Sequence, residues 1–323
     1  MYLVTGANGF VGSHVVDRLL ARGEPVAAAV RRTADLKWLR GKKADLRTVD
    51  LESGEGLPEA LRDVRILYHV AGVTRSATPE AFRRGNCDAA AALARAALRH
   101  APRLERFVYV SSLAAAGPAR AGRPLTEDDP TQPVGAYGES KRDGEEALRA
   151  IPGLPLTVAR PPIVYGPRDT NFTALFRAAS RRLVPVVGNG RQRLSMVFVE
   201  DLADGLIAAA SAASALGRTY FLTGPDTDWR EAGEALRAAT GVRPWRISIP
   251  VPAVKLAGEL FEWKYRLTGV PQAINRRKVR EMLEPRWTCS GARAEGEFGF
   301  RAAVSLKEGF RKTWLWYREA GWI

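Results

Sequence analysis

The sequence predicts an α/β protein: a doubly wound parallel sheet with a smaller, mostly helical lobe beside it. Three observations predict this. Thr5-Gly6-Ala7-Asn8-Gly9-Phe10-Val11-Gly12 sets a glycine turn between a short apolar strand and a helix. Apolar strands then alternate with helices as far as residue 165, the pattern of parallel strands buried on both faces. Glycine, serine, proline or charged positions recur at the carboxyl ends of those strands, where ligands bind in such sheets.

Tyr2–Thr5 is the first strand, and the helix after it runs from about Phe10 to Arg22 and stops at Gly23. Val11, Val15, Leu19 and Leu20 give it one apolar face, the spacing of a helix lying on a sheet. Gly6, Gly9 and Gly12 let the backbone turn tightly and let a pyrophosphate approach. The helix start at Phe10 and Val11 offers free N–H groups and a positive dipole end to it. The next strand, 25–30, ends in Arg31-Arg32. A site for NAD usually carries an acid about 20 residues past the glycines. Two arginines stand there instead, and a guanidinium fork suits a 2′-phosphate. NADP is therefore the preferred cofactor, with NAD the alternative.

Leu46–Leu51 is read as a strand ending in Asp50-Leu51, and 65–70 as a strand entering Ala71-Gly72. A long helix follows over 79–100, then a strand over 106–110 ending in Ser111-Ser112, a helix over 136–150 and a strand over 156–160. The glycine turn, Arg31, Asp50, Gly72, Ser112 and Pro161 all fall at one edge of the predicted sheet. Residues 1–165 form the dinucleotide-binding unit, with 195–225 returning to it. Residues 166–194 and 226–304 form the substrate lobe, and 305–323 a C-terminal helix. Within the lobe, 252–267 is read as a core helix with Val254, Leu256, Ala257, Leu260, Phe261 and Leu267 on one face, or as the wall of an apolar pocket. Arg276-Arg277-Lys278 and Arg280 follow it, as a solvated face or a phosphate contact.

A chain of 323 residues buries roughly 75% of its unfolded surface and needs no disulfide or metal to fold. Its net charge is +14, and 40 of its 49 basic residues are arginine, scattered through every segment. With no basic block and no nucleic-acid motif, a nucleic-acid partner is not expected. Two cysteines and three dispersed histidines exclude a ligand-spaced metal cluster and a Ser-His-Asp site. No apolar run is long enough to span a membrane and no leader precedes the first strand, so the expected location is the cytoplasm. The partners expected are a small-molecule substrate and a second copy in a homodimer.

Tyr137 and Lys141 stand at i and i+4 on one helix, so both project from one face. Tyr137 is the only tyrosine in the chain with a lysine at that spacing. A phenol is a poor base at neutral pH, and a neighbouring positive charge, from Lys141 or from an oxidised nicotinamide ring, should lower its pKa. Ser112 can then hydrogen-bond a substrate oxygen while Tyr137 gives or takes its proton.

These strings together resemble the extended short-chain dehydrogenase/reductase family, whose fold is the Rossmann sheet. The resemblance rests on Thr5–Gly12, 68–72, Asn86, Ser111-Ser112, Tyr137-x3-Lys141, Arg160-Pro161-Pro162-Ile163-Val164-Tyr165-Gly166-Pro167-Arg168-Asp169, Val199-Glu200-Asp201-Leu202-Ala203 and the Phe298-Gly299-Phe300 tail. It implies Ser112, Tyr137 and Lys141 as the catalytic set. It implies cofactor contacts from Gly6, Gly9, Phe10, Val11, Gly12, Arg31 and Arg32. Asp50 and Leu51 would face the adenine, Val70, Ala71, Gly72 and Asn86 would line the cofactor, and Pro162 and Ile163 would border the nicotinamide. Thr74, Asn171 and Arg193 are the substrate-side candidates.

The departures bear on the reaction. The Asp-Glu pair that the family's sugar dehydratases share is Leu113-Ala114 here, so dehydration lacks its acid. The tyrosine expected before Gly117 is Ala116. The arginine by which nucleotide-sugar epimerases hold a diphosphate is displaced by one, to Arg193, with Leu194 in its place. Three readings follow: an NAD(P)-dependent oxidoreductase of a secondary alcohol or ketone, a nucleotide-sugar 4-epimerase, and a noncatalytic dinucleotide sensor. The intact Ser112, Tyr137 and Lys141 disfavour the third.

Overall fold

The computed structural model describes residues 1–323 apart from residues 77, 121, 244 and 269–275, with backbone alone for 185, 246, 265–267 and 277. Leu267 and Arg277, named above, lie outside the described side chains. The chain begins β1 (Tyr2–Thr5), α1 (Phe10–Ala21), β2 (Val26–Val30), β3 (Asp45–Thr48), α2 (Leu57–Leu61), β4 (Ile66–His69). Then α3 (Pro79–Arg83) and α4 (Ala89–His100) run as one rod with a π-turn at Arg84–Asp88 between them. β5 (Arg106–Val110), α5 (Leu113–Ala116), α6 (Ala136–Arg149), β6 (Leu156–Ala159), β7 (Ile163–Tyr165), α7 (Thr173–Ser180) and β8 (Leu183–Val187) follow. Next come β9 (Arg193–Phe198), α8 (Val199–Ser211), β10 (Thr219–Tyr220), β11 (Asp226–Asp228), α9 (Trp229–Thr240) and β12 (Trp245–Ile249). The chain closes with α10 (Val251–Thr268), α11 (Arg276–Leu283), β13 (Arg286–Trp287), α12 (Ala292–Phe298) and α13 (Leu306–Glu319).

Seven parallel strands form the main sheet in the order β10-β6-β5-β4-β1-β2-β3. The winding reverses between β1 and β4, so a crevice opens beyond their carboxyl ends, where the glycine turn and Ala71-Gly72 lie. Central strands such as Val26–Val30 and Arg106–Val110 are buried throughout, as their unbroken apolar runs require. On one face Val15, Val16 and Leu19 of α1 pack with Leu202, Leu206 and Ile207 of α8. On the other, Leu57 and Leu61 of α2, Leu93 and Ala97 of α4 and Leu148 of α6 form the second core. No helix among the described residues is long and apolar enough to cross a membrane.

Local chemistry moves some expected boundaries. The strand read over Leu46–Leu51 stops at Thr48, because Asp50 caps a turn instead: its Oδ1 accepts from the N–H of Glu52 at 2.8 Å and of Ser53 at 3.0 Å. The helix read over 79–100 is interrupted where Asn86 is buried. Asn86 pairs with the Val73 backbone, accepting its N–H at 2.8 Å and donating to its carbonyl at 2.9 Å. Within the π-turn the Asn86 carbonyl accepts the Tyr109 hydroxyl at 2.9 Å.

The lobe is less helical than its composition suggests. β9 lies between β11 and β13 in a second sheet and also carries β7. β8 and β12 make a separate parallel pair. α8 and β10 return to the main sheet. Around the second sheet Tyr165, Phe176, Phe198, Phe310 and Tyr317 form an aromatic core. Trp38 packs against Trp316 and Trp322, fastening the chain's end to its first half.

Two glycine substitutions test this packing. A Cβ added at Gly144 of α6 would fall 2.6 Å from both the Asn86 carbonyl oxygen and the Tyr109 hydroxyl. Gly144→Ala is expected to lower stability in urea unfolding by about 1–3 kcal/mol. A Cβ at Gly233 of α9 meets nothing within 4 Å, so Gly233→Ala should raise stability by about 1 kcal/mol. A neutral or stabilising Gly144→Ala would contradict the contact between α6 and the π-turn.

Candidate active site

The glycine turn folds as a cradle. Gly6 has φ +66°, a conformation favourable only to glycine, and its carbonyl accepts the Gly9 N–H at 2.9 Å. A Cβ at Gly12 would sit 2.2 Å from the Gly6 oxygen, so α1 begins with its backbone pressed on the turn. No side chain caps that helix, which leaves the N–H groups of its first turn facing outward. A bare turn, uncapped N–H groups and a positive helix end suit a pyrophosphate. Thr5 braces the neighbouring strand end: its hydroxyl lies 2.8 Å from His69 Nδ1 and accepts the Ala71 N–H at 3.3 Å.

Gly72 joins the cradle to α6. A Cβ there would lie 2.8 Å from Asn86 Oδ1 and 3.1 Å from Lys141 Nζ, so only a bare backbone passes over the lysine. Lys141 is buried. Its ammonium donates to the Val110 carbonyl at 2.9 Å and lies 4.9 Å from the centre of the Tyr109 ring. Burial lowers its pKa to about 8, opposed by the Glu145 carboxylate. One turn earlier Tyr137 is half-buried, with the Phe82 ring edge-on at 6.0 Å.

Ser112 comes to Tyr137 through α5, which packs directly on α6. The Ser112 hydroxyl accepts the Ala114 N–H at 3.1 Å as the helix cap. Ser111, its neighbour, is turned the other way: its buried hydroxyl donates to Glu145 Oε1 at 2.5 Å. The Leu113 N–H donates to the Pro161 carbonyl at 2.8 Å, which sets buried Pro162 and half-buried Ile163 beside the serine pair.

The sign of the tyrosine's shift is a correction. Lys141 was expected to lower the phenol's pKa, but burial pushes it up to about 12; the Ser112 hydroxyl opposes this and Glu281 of α11 adds to it. Desolvation of the phenol is the largest cause, and the Lys141 ammonium is directed at the Val110 carbonyl and the Tyr109 face rather than at the phenol.

The remaining candidates lie around this group. Arg31 and Arg32 are exposed at the end of β2, with Arg32 3.8 Å from Glu55. The Asp50 carboxyl is held below its ordinary range, first by the N–H groups of Ser53 and Glu52 and in smaller part by Arg31. Leu51 is half-buried beside it, as are Val70 and Ala71 at the end of β4. Thr74 is exposed; Asn171 is exposed too, and accepts a hydrogen bond from Arg75. Asn171 also donates through its backbone N–H to Asp169 Oδ1 at 2.8 Å. Arg193 stands in the second sheet, its backbone opposite Asp228 and Arg286. Among the described residues, no hydrogen bond or ion pair joins Thr74 or Arg193 to Ser112, Tyr137 or Lys141. No metal-holding cluster of His, Cys, Asp or Glu occurs among the described residues.

Sequence reasoning missed Glu145, Phe82 and Glu281. Glu145 carried a signal, since it stands four residues after Lys141 on the same helix face. Phe82 and Glu281 carried none, because only the fold brings them to Tyr137.

A model of the NAD dependent epimerase/dehydratase family matches residues 2–222. The chain is 34% identical over 322 residues to a ceramide reductase of Caulobacter vibrioides, across 99% of this chain and 95% of that protein. It is 30% identical over 318 residues to a 4-hydroxy-2-methyl-3-oxo-4-farnesyl-3,4-dihydroquinoline-1-oxide ketoreductase of Stigmatella aurantiaca, across 95% and 93% of the two chains. The solved structure of MoeE5 in complex with UDP-glucuronic acid and NAD matches at a TM-score of 0.75 and 25% identity, over 99% of each chain. The order of the seven strands, the cradle at their switch point and the matched residues 2–222 lead to one conclusion: the chain belongs to the NAD dependent epimerase/dehydratase family.

Proposed function

We propose that this protein is an NAD(P)-dependent reductase that delivers hydride to the ketone carbon of an apolar, lipid-like substrate, with Ser112, Tyr137 and Lys141 as its acid–base set. One observation carries the reading: α5, capped by Ser112, packs on α6, where Tyr137 and Lys141 stand one turn apart, and Gly72 passes over Lys141 and leads back to the glycine cradle. The apolar substrate class is supported by the two relatives, a ceramide reductase and a ketoreductase of a farnesyl compound.

The cradle of Gly6, Gly9 and Gly12, with the N–H groups of Phe10 and Val11, would hold the dinucleotide, which when bound supplies the hydride. Ser112 and Tyr137 hydrogen-bond the ketone oxygen. As the carbon is reduced, that oxygen becomes an alkoxide and takes the phenol's proton, giving a secondary alcohol. Burial raises the phenol's pKa, so Tyr137 is protonated at pH 7, the form that donates to an alkoxide. Lys141 supplies positive charge beneath Gly72, and that charge is lost as pH rises through about 8.

The preference for NADP(H) is supported by Arg31 and Arg32, both exposed at the end of β2, where the sequence has no acid. A second reading, 4-epimerisation of a nucleotide sugar, is supported by the likeness to MoeE5. It would use the same three side chains to oxidise and then re-reduce. The position of Arg193 in the second sheet, one residue from the expected diphosphate anchor, favours the reductase.

Tyr137→Phe should slow single-turnover hydride transfer by about 10²–10⁴-fold while cofactor affinity stays nearly unchanged, since only the proton donor is removed. Retention of more than about a tenth of the wild-type rate would refute the assignment. Arg31→Asp should weaken NADPH binding selectively, by about tenfold or more for a lost charge-assisted pair, and improve NADH binding. Calorimetric titration checks this, and equal wild-type affinity for the two cofactors would defeat the claim.

A further inference from the structure

The reductase reading leaves one surface unused. Along α10, Leu256, Leu260 and Trp263 recur at i, i+4 and i+7 and are 60%, 57% and 63% exposed. The helix buries the other side of its apolar content, with Val254 inside and Ala257 and Phe261 half-buried. The reading of this helix as a core helix with Leu256 and Leu260 inward is thereby corrected: packing selects Val254 and Phe261, and the two leucines face water. β12 runs into α10 through Pro250 and exposes Trp245 and Ile247, while its partner strand β8 exposes Leu183. Large apolar side chains recurring on one exposed face of a helix mark an interaction surface.

Charge says what the surface would meet. From Arg243 to Leu283 the sequence holds nine Lys and Arg against three Glu. Lys255 and Lys264 are exposed on α10 itself, and Arg276 and Arg280 on α11. Two of the three acids are already matched: Glu259 pairs with Arg276, and Glu281 with Lys278. A second copy meeting this face with its own would set like charges against each other. An anionic lipid surface instead supplies both the counter-charge and an apolar phase, with tryptophan at the boundary.

We propose that β12, α10 and α11 seat this protein on an anionic bilayer, with α10 in the headgroup plane and Leu256, Leu260 and Trp263 directed to the acyl chains. The seated face adjoins the candidate site. α11 packs on α10 and carries Glu281, whose carboxylate reaches to 3.8 Å from the Cβ position of Gly135 and acts on Tyr137. A lipid-like ketone would thus meet the site from the side on which the membrane lies.

Co-sedimentation of the full chain with lipid vesicles tests the seating without substrate or cofactor, so its failure is distinct from failure of the reductase reading. Vesicles of phosphatidylcholine alone are compared with vesicles containing phosphatidylglycerol as about a quarter of the lipid. Binding is expected to the second, to fall as salt is raised, and to weaken about tenfold or more in the triple variant L256S/L260S/W263S. Lys255→Glu with Lys264→Glu should weaken it comparably. All these residues are exposed, so both variants should keep the wild-type Tm and the wild-type rate on a short, water-soluble ketone. Equal sedimentation of wild type and triple variant, or no sedimentation with either vesicle, would overturn the proposal. So would a concentration-dependent dimer that the triple substitution dissociates in a protein that binds neither vesicle, because a second copy would then be the occupant.

Discussion

Glu145 and Arg160 meet in a two-pronged ion pair, Nε to Oε1 at 2.8 Å and Nη2 to Oε2 at 2.6 Å, with side chains only 3% and 6% exposed. Ser111 adds a third bond to the same carboxylate. Such a pair adds little net stability against well-packed apolar residues, yet losing one partner costs about 3–5 kcal/mol because the other charge is stranded. Its value lies in what it holds together. Glu145 belongs to α6, Ser111 follows β5 and Arg160 follows β6, so three elements are fixed in register at one carboxylate. Tyr137 and Lys141 lie on the same helix, and their positions over the strand ends follow from it. The carboxylate also supports the Lys141 charge against the burial that would remove it.

A second constraint works from the opposite side. Asn86 is buried in the π-turn and bonds Val73 twice and Ser140 once. It therefore ties the loop after Gly72 to α6, and its backbone carbonyl accepts the Tyr109 hydroxyl. Gly72 stays above Lys141 because both ends of that loop are fixed. The chemistry thus needs few residues, while their placement needs many, and the supporting ones are buried polar groups with every bond directed.

The parts legible in the sequence were those set by short-range geometry. A glycine turn between strand and helix, and a tyrosine and lysine one helical turn apart, keep their meaning wherever the fold puts them. Unbroken apolar runs gave the parallel sheet for the same reason. Partner choice was not legible. β9 has a strand-like sequence in either sheet, and its pairing with β7, β11 and β13 is decided by packing. The π-turn was hidden because Asn86 selects it through Val73, a contact of tertiary origin. On α10, apolar residues occupy more than one face, and only the elements beneath decide that Val254 turns in and Leu256 out. The phenol's shift was misread because spacing places Lys141 near Tyr137 but cannot say that its ammonium is directed to Val110.

Reductase and epimerase would share Ser112, Tyr137 and Lys141, so what separates them most directly is where the hydride ends. The most direct measurement supplies NADPH deuterated at the transferable C4 position, a long-chain ketone such as a 3-keto sphingoid base, and in parallel a UDP-hexose, and follows deuterium by mass spectrometry. Stoichiometric deuterium at the new carbinol carbon of the lipid, with equal oxidation of the nicotinamide and an untouched UDP-hexose, is the expected result. Interconversion of two UDP-hexoses on tightly retained NAD, with no net oxidation of the supplied NADPH and no labelled lipid, would contradict it.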